Sequence, residues 1–379
     1  MKASGSRLGG RIAVALVTVA GLYCANAESA GFFNLNTGKV WLTNGAVITD
    51  GASGGGINPW ATIGGMETRD GINATVHYTY ANLPSFTLNS VGLLVGLWDR
   101  VELSYAWDTG PTGSTYDTVG LLTDTINPLL QKLQPVLSLL SPVQLGYLGQ
   151  LSQLGQLGNT GIEPFNTQVV MNVVGLKIRV FGDAIYNSDN LIPQVAIGGF
   201  YKWNANKELL HTLGASKRKD FEAYISATKI FFPISTLISA TGRYTSANQT
   251  GLVGFGGPDG NKRTFRGEFS VAYLLNKQTA LGAEYAMHSN NLHDITLGDT
   301  NVTGLLNLVA AIPVVKQVAG STVSNLAGTL SQHENDWKDI FFAYAPNKNL
   351  TFVFAYAMLG QIVLAPHNNG VYMSVQANF

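Results

Sequence analysis

Residues 90–108 read Ser90-Val91-Gly92-Leu93-Leu94-Val95-Gly96-Leu97-Trp98-Asp99-Arg100-Val101-Glu102-Leu103-Ser104-Tyr105-Ala106-Trp107-Asp108. Val91, Leu93, Val95 and Leu97 alternate with Ser90, Gly92, Leu94 and Gly96, and beyond Trp98-Asp99-Arg100 the alternation resumes with Val101, Leu103, Tyr105 and Trp107 against Glu102, Ser104, Ala106 and Asp108. Period two is the signature of a strand with unlike faces. If Leu97 pairs with Val101 across the three-residue turn, both apolar rows fall on one sheet face and Glu102 stands opposite Gly96, where there is room for its side chain. One face is then continuously apolar, and the other small, hydroxylic or charged.

The same pattern extends in both directions. Upstream, Ile72, Ala74, Val76, Tyr78 and Tyr80 alternate with Asn73, Thr75, His77 and Thr79. Downstream, apolar rows recur at Val174–Val180, Val195–Trp203, Phe265–Leu275, Leu281–Met287, Ile340–Tyr344, Leu350–Met358 and Val371–Phe379, with a further pair at 220–232 and 236–246 whose faces the pattern leaves open. Together these make twelve strands. Tight turns at Trp98-Asp99-Arg100, Pro233-Ile234-Ser235, Asn276-Lys277-Gln278 and Pro346-Asn347-Lys348 lie on one side, and longer connections at 109–167, 204–219, 247–262, 289–336 and 360–369 on the other. An even strand number, apolar rows of tens of side chains facing outward, and short turns opposite long loops together describe a transmembrane antiparallel β-barrel of about twelve strands in a bacterial outer membrane, with both termini on the periplasmic side. The connection near Pro84 is shorter, and that at 183–191 longer, than this asymmetry asks. A water-facing sheet would carry many Lys and Glu on its outer rows, whereas charged residues make up only 12% of this chain, about half the usual share.

Residues 1–27 read as a cleaved signal peptide: Lys2, Arg7 and Arg11, then a thirteen-residue apolar core Ile12–Cys24, then Ala25-Asn26-Ala27. The core is too short for a membrane anchor, and bulky Tyr23 argues against lipid attachment at Cys24. Cleavage removes the single cysteine, excluding disulfides and thiol chemistry. Loss of three basic residues from 23, against 23 acidic, leaves a net charge of −3 and nothing to favour nucleic acid.

Residues 28–70 are dense in glycine (Gly51, Gly54, Gly55, Gly56, Gly64, Gly65) and carry Trp60 and Ile63. They fit a segment folded into the barrel interior as a partial plug, because those apolar side chains would otherwise be exposed; a periplasmic tail or an added short strand at 39–48 is the alternative. Residues 71–379 form the barrel. Two of its outer loops are apolar. One has Pro128, Pro135 and Pro142 followed by Leu148, Leu151, Leu154 and Leu157; the other has Val302, Leu305, Leu306, Leu308, Val309 and Ile312 before Pro313. Both read as short, proline-limited helices. Leucine exposed to this extent is a liability in water, so these loops should pack on each other, on the barrel rim or into the outer leaflet, either as an entry port or as a self-packed cap.

Gly71-Ile72-Asn73-Ala74-Thr75-Val76-His77-Tyr78-Thr79-Tyr80 with Asn82-Leu83-Pro84, Asp99-Arg100-Val101-Glu102-Leu103-Ser104-Tyr105, Val174-Gly175-Leu176-Lys177 with Phe181-Gly182-Asp183-Ala184, Ala345-Pro346-Asn347-Lys348 and Asn58-Pro59-Trp60-Ala61 occur in order. Together they resemble the bacterial outer-membrane family known as domain of unknown function 3034 over most of 40–379. The inserts at 109–167 and 289–336 are longer than that resemblance leads one to expect. It implies an outer-membrane barrel and carries over no catalytic or binding residue.

There is no P-loop, dinucleotide fingerprint or zinc motif, and no cofactor is expected. His288-Ser289-Asn290 superficially matches the Ser–His pairs of outer-membrane phospholipases, but neighbours on a strand point to opposite faces unless the strand has ended there. The candidate functional residues are those parity turns inward: His77, Glu102, Asp108, Lys177, Arg179, Lys202, Arg266, Glu268 and Glu284, with Arg243 a further candidate. Both signs of charge suit a polar lumen, open or internally paired. The expectation is an outer-membrane barrel that passes small solutes, apolar ones included, with a non-conducting structural or surface-interaction barrel as the alternative and a lipid-modifying enzyme a distant third. Expected partners are outer-membrane lipid, a small solute in the lumen, and the barrel-assembly machinery through the terminal strand ending in Phe379.

Overall fold

The computed structural model describes residues 39, 42, 44–66, 71–111, 126–157, 168–186, 190–292, 296–297, 300–329, 334–363, 365 and 367–379. The signal-peptide reading falls outside these residues.

Twelve antiparallel strands close into a barrel. In chain order they are β1 (Ile72–Asn82), β2 (Thr87–Leu97), β3 (Val101–Pro111), β4 (Gln168–Phe181), β5 (Gln194–Asn204), β6 (Lys219–Phe231), β7 (Thr236–Thr245), β8 (Thr264–Leu274), β9 (Thr279–Ala286), β10 (Trp337–Asn347), β11 (Leu350–Met358) and β12 (Asn369–Asn378). Each pairs with its sequence neighbour, and β12 closes on β1 through Val375↔Tyr78 and Ala377↔Val76. The β2–β3 register is Leu97↔Val101 and Gly96↔Glu102, as alternation and turn length require. Trp98 and Asp99 both adopt positive φ (54° and 50°), so two left-handed residues reverse the chain and match the strands' twist.

Burial alternates along most of the barrel wall, most cleanly on β1, β3, β7 and β10. Leu93, Leu103, Tyr105, Leu176, Ile225, Phe269, Phe354 and Met373 are exposed on the outer wall, while Thr75, Glu102, Lys177, Ser226 and Gln376 are buried on the inner. Polar inside and apolar outside inverts the soluble arrangement and is stable only with lipid against the outer rows. No helix among the described residues is long and apolar enough to cross a membrane; the strands do so.

Two strands begin earlier than their apolar rows. β4 starts at Gln168 rather than near Val174, and β10 at Trp337 rather than Ile340. Their outer ends rise above the hydrocarbon, where Lys338 can face outward, so the apolar row stops while the inward–outward alternation continues. The loop helices are α1 (Pro142–Leu157), α2 (Lys207–Thr212), α3 (Val302–Ala310) and α4 (Pro313–Thr329); residues 126–133 are helical as well. α3 starts where the Asn301 side chain accepts the Gly304 N–H. Leu148 and Leu151 of α1, Leu305, Leu306 and Val309 of α3, and Val315 and Val323 of α4 share one apolar cluster with Leu209 and Leu213 at the barrel rim. The leucine-rich loops thus bury their apolar faces on each other and on the rim.

Candidate functional site: the barrel interior and its apolar chamber

Inside the barrel, the described residues among 39–66 follow an irregular path in which one short ladder pairs Ala46–Val47 with Ser53–Gly54. With so few partners of its own, this backbone must find them on the wall. Ser53 and Gly64 donate N–H to the two oxygens of the Glu102 carboxylate at 3.0 and 2.8 Å. On the opposite wall Gly56 and Ile57 donate to one oxygen of Glu284 at 2.5 and 2.7 Å. Lys177 donates to the carbonyls of Ser53 and Thr62 (2.8 and 2.9 Å) and pairs with Glu102 at 3.0 Å. Ala61 is held from both sides, its N–H by Thr228 and its carbonyl by Gln194, and Thr241 donates to Pro59. Gln376 reaches the Gly45 carbonyl from β12.

Two charge clusters lie at different heights. Near the short turns, Asp99 pairs with Lys39 (2.8 Å) and Arg179 (3.3 Å). Nearer the loops, Asp50 pairs with Lys202 (2.7 Å) and Arg243 (3.0 Å), and those cations also engage Glu222 at 3.2 and 3.0 Å. Arg243 continues to Glu268 at 2.6 Å. Burial pushes the Asp50 carboxyl up, but Lys202 and Arg243 outweigh it and hold the group below the usual carboxylate range. Burial dominates at Lys39 and lowers its ammonium despite Asp99.

All nine candidate lumen residues are buried on the inner side. The structure joins Glu102 with Lys177, Lys202 with Glu268 through Glu222 and Arg243, and Arg179 with a turn residue. His77 lies 3.4 Å from Ser90, which faces Asp108 across the β2–β3 ladder. Arg266 reaches the Ser289 hydroxyl at 3.1 Å, and Glu284 stands opposite Asp339 on β10.

Lys39, Asp50, Asp99, Glu222 and Asp339 were not legible as interior residues. Lys39 and Asp50 belong to no periodic segment. Asp99 reads as a turn residue, yet its carboxylate folds back under the barrel. Glu222 sits on β6, whose inward row is Asp220, Glu222, Tyr224, Ser226, Thr228 and Ile230; Tyr224 and Ile230 on that row, and Lys219 and Lys229 on the row with Phe221 and Ile225, blur the alternation. The shared parity of Glu222 with the hydroxylic Ser226 and Thr228 was the available clue.

Ser289 lies beyond β9, which ends at Ala286, so the strand-parity objection to a His288–Ser289 pair does not apply. The contacts give it no support either. The Ser289 hydroxyl bonds Thr264 and Arg266, while His288 stacks on Trp337 with ring centroids 4.6 Å apart and its Nδ1 faces the Ala286 carbonyl.

Above residues 49–57, at the loop end, the interior opens into a chamber. Its cavity volume is about 140 Å³, and it opens to solvent at its mouth. Thr49, Gly56 and Ile57 form the floor; Leu83, Phe86, Val253, Leu359, Ile362 and Val363 supply much of the apolar wall, with Leu209 of α2 and Leu213 just after it. Tyr372 and Trp337 add aromatic surface, the former donating to Asp339 at 2.7 Å and the latter to Gln249 at 3.0 Å. An apolar chamber over a floor stitched by charge-assisted hydrogen bonds can hold a small apolar body and orient it with few polar contacts.

A closed twelve-stranded barrel with an apolar outer wall and a polar interior defines an outer-membrane β-barrel protein. The chain belongs to the family described as "Protein of unknown function (DUF3034)", whose model matches residues 43–376. Among solved structures it is similar in fold to the KdgM porin (TM-score 0.39, 7% identity, 80% of this chain and 99% of that one). It is likewise similar to an outer membrane channel from Pseudomonas putida F1 (0.38, 8%, 83% and 97%) and to outer membrane phospholipase A from Escherichia coli (0.33, 8%, 81% and 92%). No curated protein matches the sequence.

Proposed function

We propose that this protein is a passive route for small apolar solutes across the outer membrane, with residues 39–66 acting as a plug that must move or loosen for passage. The carrying observation is the chamber, whose lining is overwhelmingly aliphatic and aromatic and includes Thr49, Gly56 and Ile57 of that segment. A polar solute would lose hydration there without recovering hydrogen bonds, whereas an apolar one would gain from burial. The nine inward residues read from the sequence, with Asp50, Asp99 and Glu222, serve in this reading to hold the plug and to line the passage it vacates.

The test is uptake by liposomes containing the refolded protein, using solutes of graded size and polarity. Apolar solutes should enter faster than polar ones of equal size, and saturably. Equal rates for both, tracking size alone, would contradict the chamber's role. A second reading, a non-conducting structural barrel, is favoured by the density of plug anchors from β2 through β12; it predicts no uptake even after the Glu102 and Glu284 anchors are removed.

A further inference from the structure

The outer rim is not uniformly charged. The connections between β5 and β6 and between β7 and β8, counted with Lys219 and Asp220 at the start of β6, carry Lys207, Lys217, Arg218, Lys219, Lys262 and Arg263 against Glu208, Asp220 and Asp259. The rim segments 83–86 and 359–368 hold no Lys, Arg, Asp or Glu at all. Within the basic sector, Asp220 is already committed. Its carboxylate accepts from Ser246 and Asn261, both at 2.8 Å, and pairs with Arg263. Among the described residues, neither Arg218 nor Lys219 is in an ion pair, and both are exposed.

Directly below them, on the lipid side, lies an aromatic band. Lys219 stands opposite Trp203 in the β5–β6 ladder, and Phe221 opposite Tyr201. The Tyr201 and Trp203 rings lie 5.7 Å apart, and the band continues across β7 and β8 through Tyr244 and Phe265, whose rings are 4.7 Å apart. Tyr201, Trp203, Arg218 and Lys219 together line one shallow depression on the outer wall. Aromatic rings mark the level of the membrane interface. With both termini and the short turns in the periplasm, this end of the barrel meets the outer leaflet, so the two free cations stand where lipid headgroups stand.

We propose that Tyr201, Trp203, Arg218 and Lys219 form a lateral binding site for the phosphorylated headgroup of an outer-leaflet lipid. The guanidinium and ammonium engage the phosphate, and the rings support the sugar and the first carbons of the acyl chains. This site faces away from the lumen and does not depend on solute passage.

The full-length protein is reconstituted in phosphatidylcholine vesicles doped with either a phosphorylated saccharolipid or its dephosphorylated counterpart, re-extracted in mild detergent, and assayed for retained saccharolipid by native mass spectrometry. The wild type should retain the phosphorylated lipid well above the dephosphorylated one. Each interfacial basic residue contributes about fivefold in affinity for anionic lipid, so Arg218→Gln with Lys219→Gln should lower retention by about 25-fold, and Lys219→Gln alone by about fivefold. Trp203→Ala should weaken retention with all charges kept. Heat-modifiable migration establishes that each variant is folded. Lys277→Gln with Lys348→Gln, the same charge change at the periplasmic turns, should leave retention unchanged. Equal retention by wild type and folded double variant, or equal loss in the periplasmic variant, overturns the proposal. Displacement of the lipid by millimolar inorganic phosphate would make this a free-anion site and overturn the lipid assignment.

Discussion

At the scale of single residues, two positions decide how firmly the plug is held. Asp50 supplies the only plug carboxylate among the described residues and ties together Lys202 and Arg243. Its carboxyl is depressed in the folded protein, so its stabilising contribution is complete above the unfolded value, near pH 4, and is lost as pH falls below it. Asp50→Asn should therefore cost about 3 kcal/mol at neutral pH and abolish that acid dependence, both measurable through quenching of Trp60, which is buried within the same segment. An unchanged acid transition in the variant would show that another group governs it. Gly56 is the second position. A Cβ there would lie 1.5 Å from the Tyr372 hydroxyl and 2.7 Å from an Asp339 oxygen, so the Tyr372–Asp339 hydrogen bond must be displaced or the segment must move. Gly56→Ala should expose Trp60 to quencher while leaving barrel migration on gels unchanged.

At the scale of elements, each strand separates two environments, and a single substitution reads which one it meets. Val95 and Leu176 face lipid on adjoining parts of the wall, so arginine at either should cost about 2–4 kcal/mol near the bilayer midplane and impair folding into vesicles. The inner face is not simply permissive. A Cβ at Gly96 would stand 2.5 Å from the Gly64 carbonyl, and one at Gly175 would stand 2.3 Å from the Ser104 hydroxyl and 3.0 Å from the Phe200 ring. Gly96→Arg should therefore assemble poorly in the complete chain and recover when 39–66 are deleted, whereas Val95→Arg should not recover. Assembly yields in vesicles for the four combinations check this. Recovery of both would show that lipid contact at Val95 is not the cause. The leucine-rich loops obey the same separation at the aqueous end. Leu148, Leu151, Leu305 and Val309 are buried, and the loop helices hide apolar surface from water by sharing it.

At the scale of the whole molecule, the plug and the wall are one electrostatic unit, and conductance should depend on releasing it. Deleting residues 39–66, or replacing Glu102 and Glu284 together with Gln, should raise single-channel conductance in planar bilayers. In the plug-deleted barrel, Lys177→Gln with Arg179→Gln should shift the reversal potential toward cations, because Glu102 and Asp99 then lose their partners. Unchanged selectivity in a conducting plug-deleted barrel would remove these two residues from the passage. The sequence by itself determined the wall: strand number, the β2–β3 register, the apolar face and the inward placement of Glu102, Lys177 and Glu284 all follow from period two and turn length, which are local. It did not determine which inward charges meet. Lys39 and Asp99 are sixty residues apart, and Asp50 finds Lys202 and Arg243 from three separate stretches of chain. On β6, Tyr224 and Ile230 on the inward row and Lys219 and Lys229 on the outward row blur the alternation, and the chamber is lined by β1 to β4, α2, the turn at 249–253 and the outer ends of β10 to β12. Those juxtapositions exist only once the barrel has closed, because closure brings opposite walls within hydrogen-bonding reach of one irregular segment whose own backbone pairs only in part with itself.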